Sequence, residues 1–173
     1  VHKGKTIFVG DTSVHEYPTS EQMAQIAIST ARVVRLFGFE PKVAFVSHST
    51  FGQPLTSRTK HIRNAVDILK EEKVDFEFDG DMQPDVALNP EYEELYPFSK
   101  IVGKANILIM PGQHSAAISY KMMKTFGDTK VIGPLLIGLE LPIEIAPLRS
   151  STSELINLAS IAAYSADVID YKK

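Results

Sequence analysis

Lys5-Thr6-Ile7-Phe8-Val9-Gly10-Asp11 is a short β-branched and aromatic run closed by a glycine and an aspartate, the composition of a buried strand over Lys5 to Val9. The segment after this strand decides the fold. Pro18 precedes Thr19-Ser20-Glu21-Gln22, where Thr19 and Gln22 have capping-box spacing. Met23, Ile26, Ala27, Thr30, Val33, Val34 and Phe37 then recur on one helical face until Gly38. The unit repeats, with a strand from Lys42 to Ser47 and a helix carrying Ile62, Ala65, Val66 and Leu69 on one face. Asp75 to Phe78 reads as a third, weaker strand, and the prolines at 84, 90 and 97 allow only short helical turns between Gly80 and Lys100. Asn106 to Met110 is a strong strand, and Ala116, Ala117, Tyr120 and Met123 make Gln113 to Phe126 a helix. Val131 to Ile145 reads as one or two apolar strands interrupted by prolines. A last helix starts near Ser151, where Ser151 and Glu154 form a second capping box and Leu155, Leu158, Ala159 and Ala162 make the buried face. Alternating strands and helices with near-continuously apolar strands predict an α/β protein. The expected architecture is a mainly parallel sheet with helices on both faces, a three-layer sandwich.

The 173 residues carry 18 Lys and Arg against 21 Asp and Glu, a formal charge of -3. That leaves no basic field for a polyanion, so nucleic acid is not an expected partner. There is no cysteine, which removes disulfides, thiolate metal sites and cysteine nucleophiles together. The longest apolar run, Val131 to Leu139, is broken by Gly133, Pro134 and Gly138, and no basic-then-apolar leader opens the chain. The expectation is therefore a cytoplasmic protein with no membrane contact. The chain begins with Val1 rather than methionine, as a single domain over residues 1–173 cut from a longer multidomain polypeptide would.

Familiar nucleotide signatures are missing, since neither G-x-x-x-x-G-K-[ST] nor a strand-borne G-x-G-x-x-G is present. No G-x-S-x-G elbow offers a nucleophile. His2, His15, His48, His61 and His114 show no i, i+4 pairing, so no metal is expected. Asp79, Asp81 and Asp85 lack the glycine and terminal glutamate of a calcium loop and are expected in turns and caps. Two strand-to-helix junctions remain, because ligands of open parallel sheets bind beyond the carboxyl ends of the strands. Pro111-Gly112-Gln113-His114-Ser115 reads either as a phosphate-holding helix start, with Lys121 two turns on, or as a plain turn with a solvated lysine. Leu148-Arg149-Ser150-Ser151-Thr152 places a guanidinium and three hydroxyls before a helix. It reads as an anion site or as a capped helix start with a surface arginine.

Several segments, taken in order, resemble the phosphate acetyl/butyryltransferase family. They are Gly10-Asp11-Thr12-Ser13-Val14, Pro18-Thr19-Ser20-Glu21-Gln22, Ala27-Ile28-Ser29-Thr30-Ala31 and Phe78 to Leu88. Gly103 to Pro111, the Tyr120-Lys121 pair, Ile132 to Gly138 and Leu155-Ile156-Asn157-Leu158 continue the series. The resemblance covers nearly the whole chain and implies the later half of the phosphotransacetylase / isopropylmalate dehydrogenase-like fold. Ser47-His48-Ser49-Thr50-Phe51-Gly52 resembles the version in one branch, the phosphotransacetylase-like C-terminal domain of bacterial NADP-dependent malic enzymes. Transferases of the family place a Ser-Arg-Gly triplet before the last helix and an acidic residue inside its start. Here Leu148 stands at the serine, Arg149 matches the arginine, Ser150 replaces the glycine, and Glu154 aligns with the acidic residue only across a one-residue gap.

Losing a hydroxyl near the developing charge and rotating a carboxylate at a helix start both handicap acyl transfer. The resemblance implies a regulatory domain that binds acetyl-CoA or CoA as effector and assembles as a homodimer or larger homo-oligomer. NADP and a divalent metal would belong to a separate catalytic domain that converts malate to pyruvate and carbon dioxide. The expected ligand residues are Arg149, Ser150, Ser151 and Thr152, with Gly112, Gln113, His114 and Lys121 as a second patch. Two alternatives stand beside it: a working phosphate acetyltransferase using Arg149 and Glu154, and a scaffold that only holds subunits together through helices such as Thr19 to Phe37.

Overall fold

A computed structural model describes residues 1, 4–11, 13–126, 129–139 and 141–168; His2 and Thr12 fall outside them. The chain forms two compact units, Thr6–Met122 and a smaller one made of Val1–Lys5 with Met123–Lys173.

The larger unit holds the sheet. Strands β1 (Phe8–Gly10), β2 (Lys42–Val46), β3 (Glu77–Met82) and β4 (Ile107–Ile109) are all parallel, in the order β1-β4-β2-β3. Helices α1 (Ser20–Leu36) and α2 (Ser57–Glu71) come after β1 and β2. A short α3 (Pro84–Leu88), a 3-10 turn (Pro90–Glu94) and α4 (Gln113–Phe126) come after β3 and β4. The last turn of α4 belongs to the smaller unit, as does α5 (Thr152–Val168).

Strand alternation distributes the core. Val43, Phe45, Ile107 and Ile109 point to one face and meet Met23, Ala27 and Val34 of α1 and Ile62, Ala65 and Leu69 of α2. Ala44, Val46, Leu108 and Met110 point to the other and meet Ala87, Ile101, Ala105 and Ala116. The sheet is therefore covered on both faces, as the near-continuous apolar strands require. Burying a side chain such as Phe45 or Ile109 contributes about 1.5–3 kcal/mol each. The apolar face of α1 is covered by the sheet within its own unit.

Both expected capping boxes form. Thr19 accepts from the Gln22 amide while the Gln22 side chain accepts from the Thr19 amide, and Ser151 and Glu154 do the same for α5. Four expectations are corrected. β1 begins at Phe8 rather than Lys5. β3 begins later than Asp75 and runs through Met82, so Asp79 and Asp81 are buried strand residues and not turn residues. The described residues of 131–145 form no strand, because Pro134 and Pro142 lack the amide a ladder needs and Gly133 and Gly138 adopt positive φ. Among the α5 residues whose side chains are described only Leu158 is buried, while Leu155 and Ala159 are exposed.

Candidate functional site

The order β1-β4-β2-β3 means that the chain returns from β3 to insert β4 between β1 and β2. α1 covers one face after β1, while α4 begins on the opposite face after β4. A crevice opens beyond the carboxyl ends of such neighbouring strands. Here the stretch after β1 reaches the start of α4. Asp11 accepts from the backbone amides of Ser13, Val14 and His15 at 2.8–2.9 Å and from His15 Nδ1 at 2.7 Å. Burial pushes the Asp11 carboxyl up, but these donors together outweigh it and hold it below the usual carboxylate range. The turn so formed delivers Glu16 and Tyr17 to the start of α4. The Glu16 carbonyl accepts from the Gln113 amide, and a Cβ on Gly112 would stand 2.8 Å from that oxygen, so only glycine allows the approach. His114 stacks on Tyr17 and lies 3.8 Å from the Glu16 carboxylate. Lys121 sits over the Tyr120 ring. One amide at this helix start is thus already served from within the chain.

The second junction lies in the smaller unit. Ser150 turns back on Pro147, its amide and hydroxyl both donating to the Pro147 carbonyl, which aims the chain into α5. Arg149 and Ser150 line a cleft of about 130 Å3 together with Lys124, Glu154 and Asn157. Arg149 is exposed and has no ion-pair partner among the described residues. Glu154 is heavily engaged. Its Oε2 accepts from the Ser151 amide and hydroxyl at 2.8 and 2.9 Å, and its Oε1 accepts from Lys124 Nζ at 2.9 Å. The Lys124 ammonium, then the two Ser151 donors, hold the Glu154 carboxyl down to about 2. A carboxylate so strongly stabilised is a poor proton acceptor at neutral pH.

Of the residues expected from sequence, Arg149 and Ser150 come together in this cleft, while Ser151 caps α5 and Thr152 opens it at the surface. Gly112, Gln113, His114 and Lys121 share one helix start in the larger unit. Sequence reasoning missed Lys124 and Asn157. Asn157 is one turn beyond the aligned Glu154 and was findable by helical spacing; Lys124 is separated from Glu154 by thirty residues, and no local pattern announces the pair. No group of three or more His, Cys, Asp or Glu suited to a metal ion exists among the described residues. No helix among them is long and apolar enough to cross a membrane.

The parallel α/β sheet with its helices is that of a phosphotransacetylase-type domain. A phosphotransacetylase from Streptococcus pyogenes superposes with a TM-score of 0.89 at 32% identity, over 95% of this chain and 50% of that one. The chain belongs to the phosphate acetyl/butaryl transferase family, whose pattern matches residues 1–163. It is 49% identical over 164 residues to an NADP-dependent malic enzyme of Rhizobium meliloti, covering 95% of this chain and 22% of that protein. A phosphate acetyltransferase of Clostridium acetobutylicum is 35% identical over 162 residues, covering 92% of this chain and 49% of that protein. The chain thus spans about a fifth of the malic enzyme and about half of the acetyltransferase it matches.

Proposed function

We propose that this chain is the acetyl-CoA-responsive regulatory part of an NADP-dependent malic enzyme of the cytoplasm. Malate oxidation to pyruvate and carbon dioxide, with its NADP and divalent metal, then belongs to another part of that protein. The observation that carries the reading is the state of Glu154: the one carboxylate placed near the family's acidic position is committed to Ser151 and Lys124. It is poorly suited to deprotonate a thiol. Arg149 nevertheless remains in a cleft whose size suits one anionic group, well below the several hundred Å3 that a whole cofactor fills. Such a cleft grips the phosphate end of acetyl-CoA and leaves the remainder outside. Binding becomes regulation only if acetyl-CoA favours one global arrangement over another.

A self-association role accompanies this one. The smaller unit exposes Leu141, Ile143, Ile145, Leu148 and Ile156, apolar side chains that a homodimer interface could cover. The test uses the full-length protein with acetyl-CoA and inorganic phosphate. The expected result is thermal stabilisation by acetyl-CoA that Arg149→Ala removes, with no release of free CoA. Release of CoA that depends on phosphate and disappears in Arg149→Ala would instead establish a working acetyltransferase. Association with no stabilisation by acetyl-CoA would leave the scaffold role alone.

A further inference from the structure

We infer that Glu154 is a built-in counter-anion for the ligand cleft, and that Lys124 is a further ligand-binding residue which an incoming phosphate takes over from it. The inference rests on the anion-binding reading of the Arg149 cleft and concerns how that cleft is regulated. Two cations line it, and they are not equivalent. Arg149 has no ion-pair partner among the described residues, whereas Lys124 is neutralised by Glu154 at 2.9 Å. The two oxygens of Glu154 divide their work. Oε2 closes the capping box with Ser151, and Oε1 alone holds Lys124.

This division has a chemical consequence. The capping bonds anchor Glu154 to the first turn of α5, so the carboxylate stays in the cleft whether or not Lys124 is beside it. The Lys124 side chain, in contrast, is more than half exposed, on a flexible stem. A phosphate held by Arg149 therefore competes with Glu154 for one mobile ammonium, and must also approach a fixed negative charge. A phosphate-class anion carries more charge and more acceptor oxygens than a carboxylate and wins that competition. A ligand bearing a single carboxylate offers nothing Glu154 does not already supply, so the pair selects for phosphate.

Glutamine separates the two roles, because its one amide oxygen can still close the capping box while leaving Lys124 unneutralised. The experiment is calorimetric titration of acetyl-CoA into full-length protein carrying Glu154→Gln, Lys124→Gln, both together, or Arg149→Ala, each checked for unchanged helix content. Glu154→Gln is expected to tighten binding roughly two- to fivefold, the scale of a partly exposed ion pair, and Lys124→Gln to weaken it by a similar factor. In the double variant the gain from Glu154→Gln should shrink, because Lys124 is then no longer there to be released. Binding that Arg149→Ala abolishes but Glu154→Gln fails to tighten overturns the counter-anion and leaves the anion site standing. Absence of acetyl-CoA binding in the wild type and in every variant overturns both.

Discussion

The Ser49 hydroxyl beyond the end of β2 donates to the Asp81 carboxylate near the end of β3, and both side chains are fully buried. The other Asp81 oxygen accepts from the Gly52 amide at 3.0 Å. Asp81 occupies this place because the ladder steps by one residue between Phe45 and Val46, leaving Asp81 as the extra residue of β3. One carboxylate thereby closes the loop from Ser47 to Gly52 across the carboxyl ends of two strands. Ser49→Ala should leave a buried carboxylate oxygen short of its donor and cost about 1–3 kcal/mol. The urea midpoint, at unchanged slope, measures it.

Gly80 lies just before this residue. Its φ is +153°, and a Cβ there would stand 2.7 Å from the Phe45 carbonyl oxygen and 2.8 Å from the Phe45 Cβ. Both neighbours belong to the central strand β2, where the backbone has no room to retreat. Gly80→Ala is expected to destabilise the protein by about 2–4 kcal/mol, through backbone overlap and conformational strain together. Thermal unfolding of the variant checks this, with Gly38→Ala as the comparison, since no atom lies near a Cβ at that helix end.

Glu154 makes stability sensitive to acid in one direction. Its folded value of about 2 lies below the ordinary 4.5, so the folded state binds fewer protons than the unfolded one across that interval. The stabilisation is complete above about pH 4.5 and is lost as pH falls toward 2. Glu154→Gln cannot titrate. The difference in melting temperature between wild type and Glu154→Gln should therefore shift against the wild type through this window and stay constant above it.

Glu144 has the opposite sign. Burial raises its carboxyl above the ordinary 4.5, and the bond accepted from the Leu136 amide only partly opposes that. Ionisation at neutral pH thus costs folded-state stability, which returns as pH drops through the raised value. Glu144→Gln keeps an oxygen for Leu136 and is expected to melt at or above the wild type near neutral pH. The advantage should vanish on acidification, as scanning calorimetry at a series of pH values would show.

Much was decided locally. Capping boxes at Thr19 and Ser151, the helical faces carried by Met23 and Ile62, and the apolar strands around Phe45 and Ile109 depend on neighbours within one or two turns or on simple alternation. They were legible residue by residue, and so was the collinear series of segments that marks the family. That Arg149 and Ser150 sit side by side just before α5 was legible too, because adjacent residues before a helix share its geometry whatever surrounds them.

The tertiary structure decided what depends on distant partners. Asp79 and Asp81 look like turn residues in the chain, yet they lie inside a strand, since Lys100 and Ser49 supply the donors that make burial of a carboxylate tolerable. Leu155 and Ala159 look like a core face and remain exposed, because helical period reveals which residues share a side but not whether anything covers it. Glu154 shows the difference most directly. Its sequence position promised a cap, and the cap formed. Its hold on Lys124, which adds to the local Ser151 donors in keeping the carboxylate charged, comes from a contact across thirty residues that only folding creates.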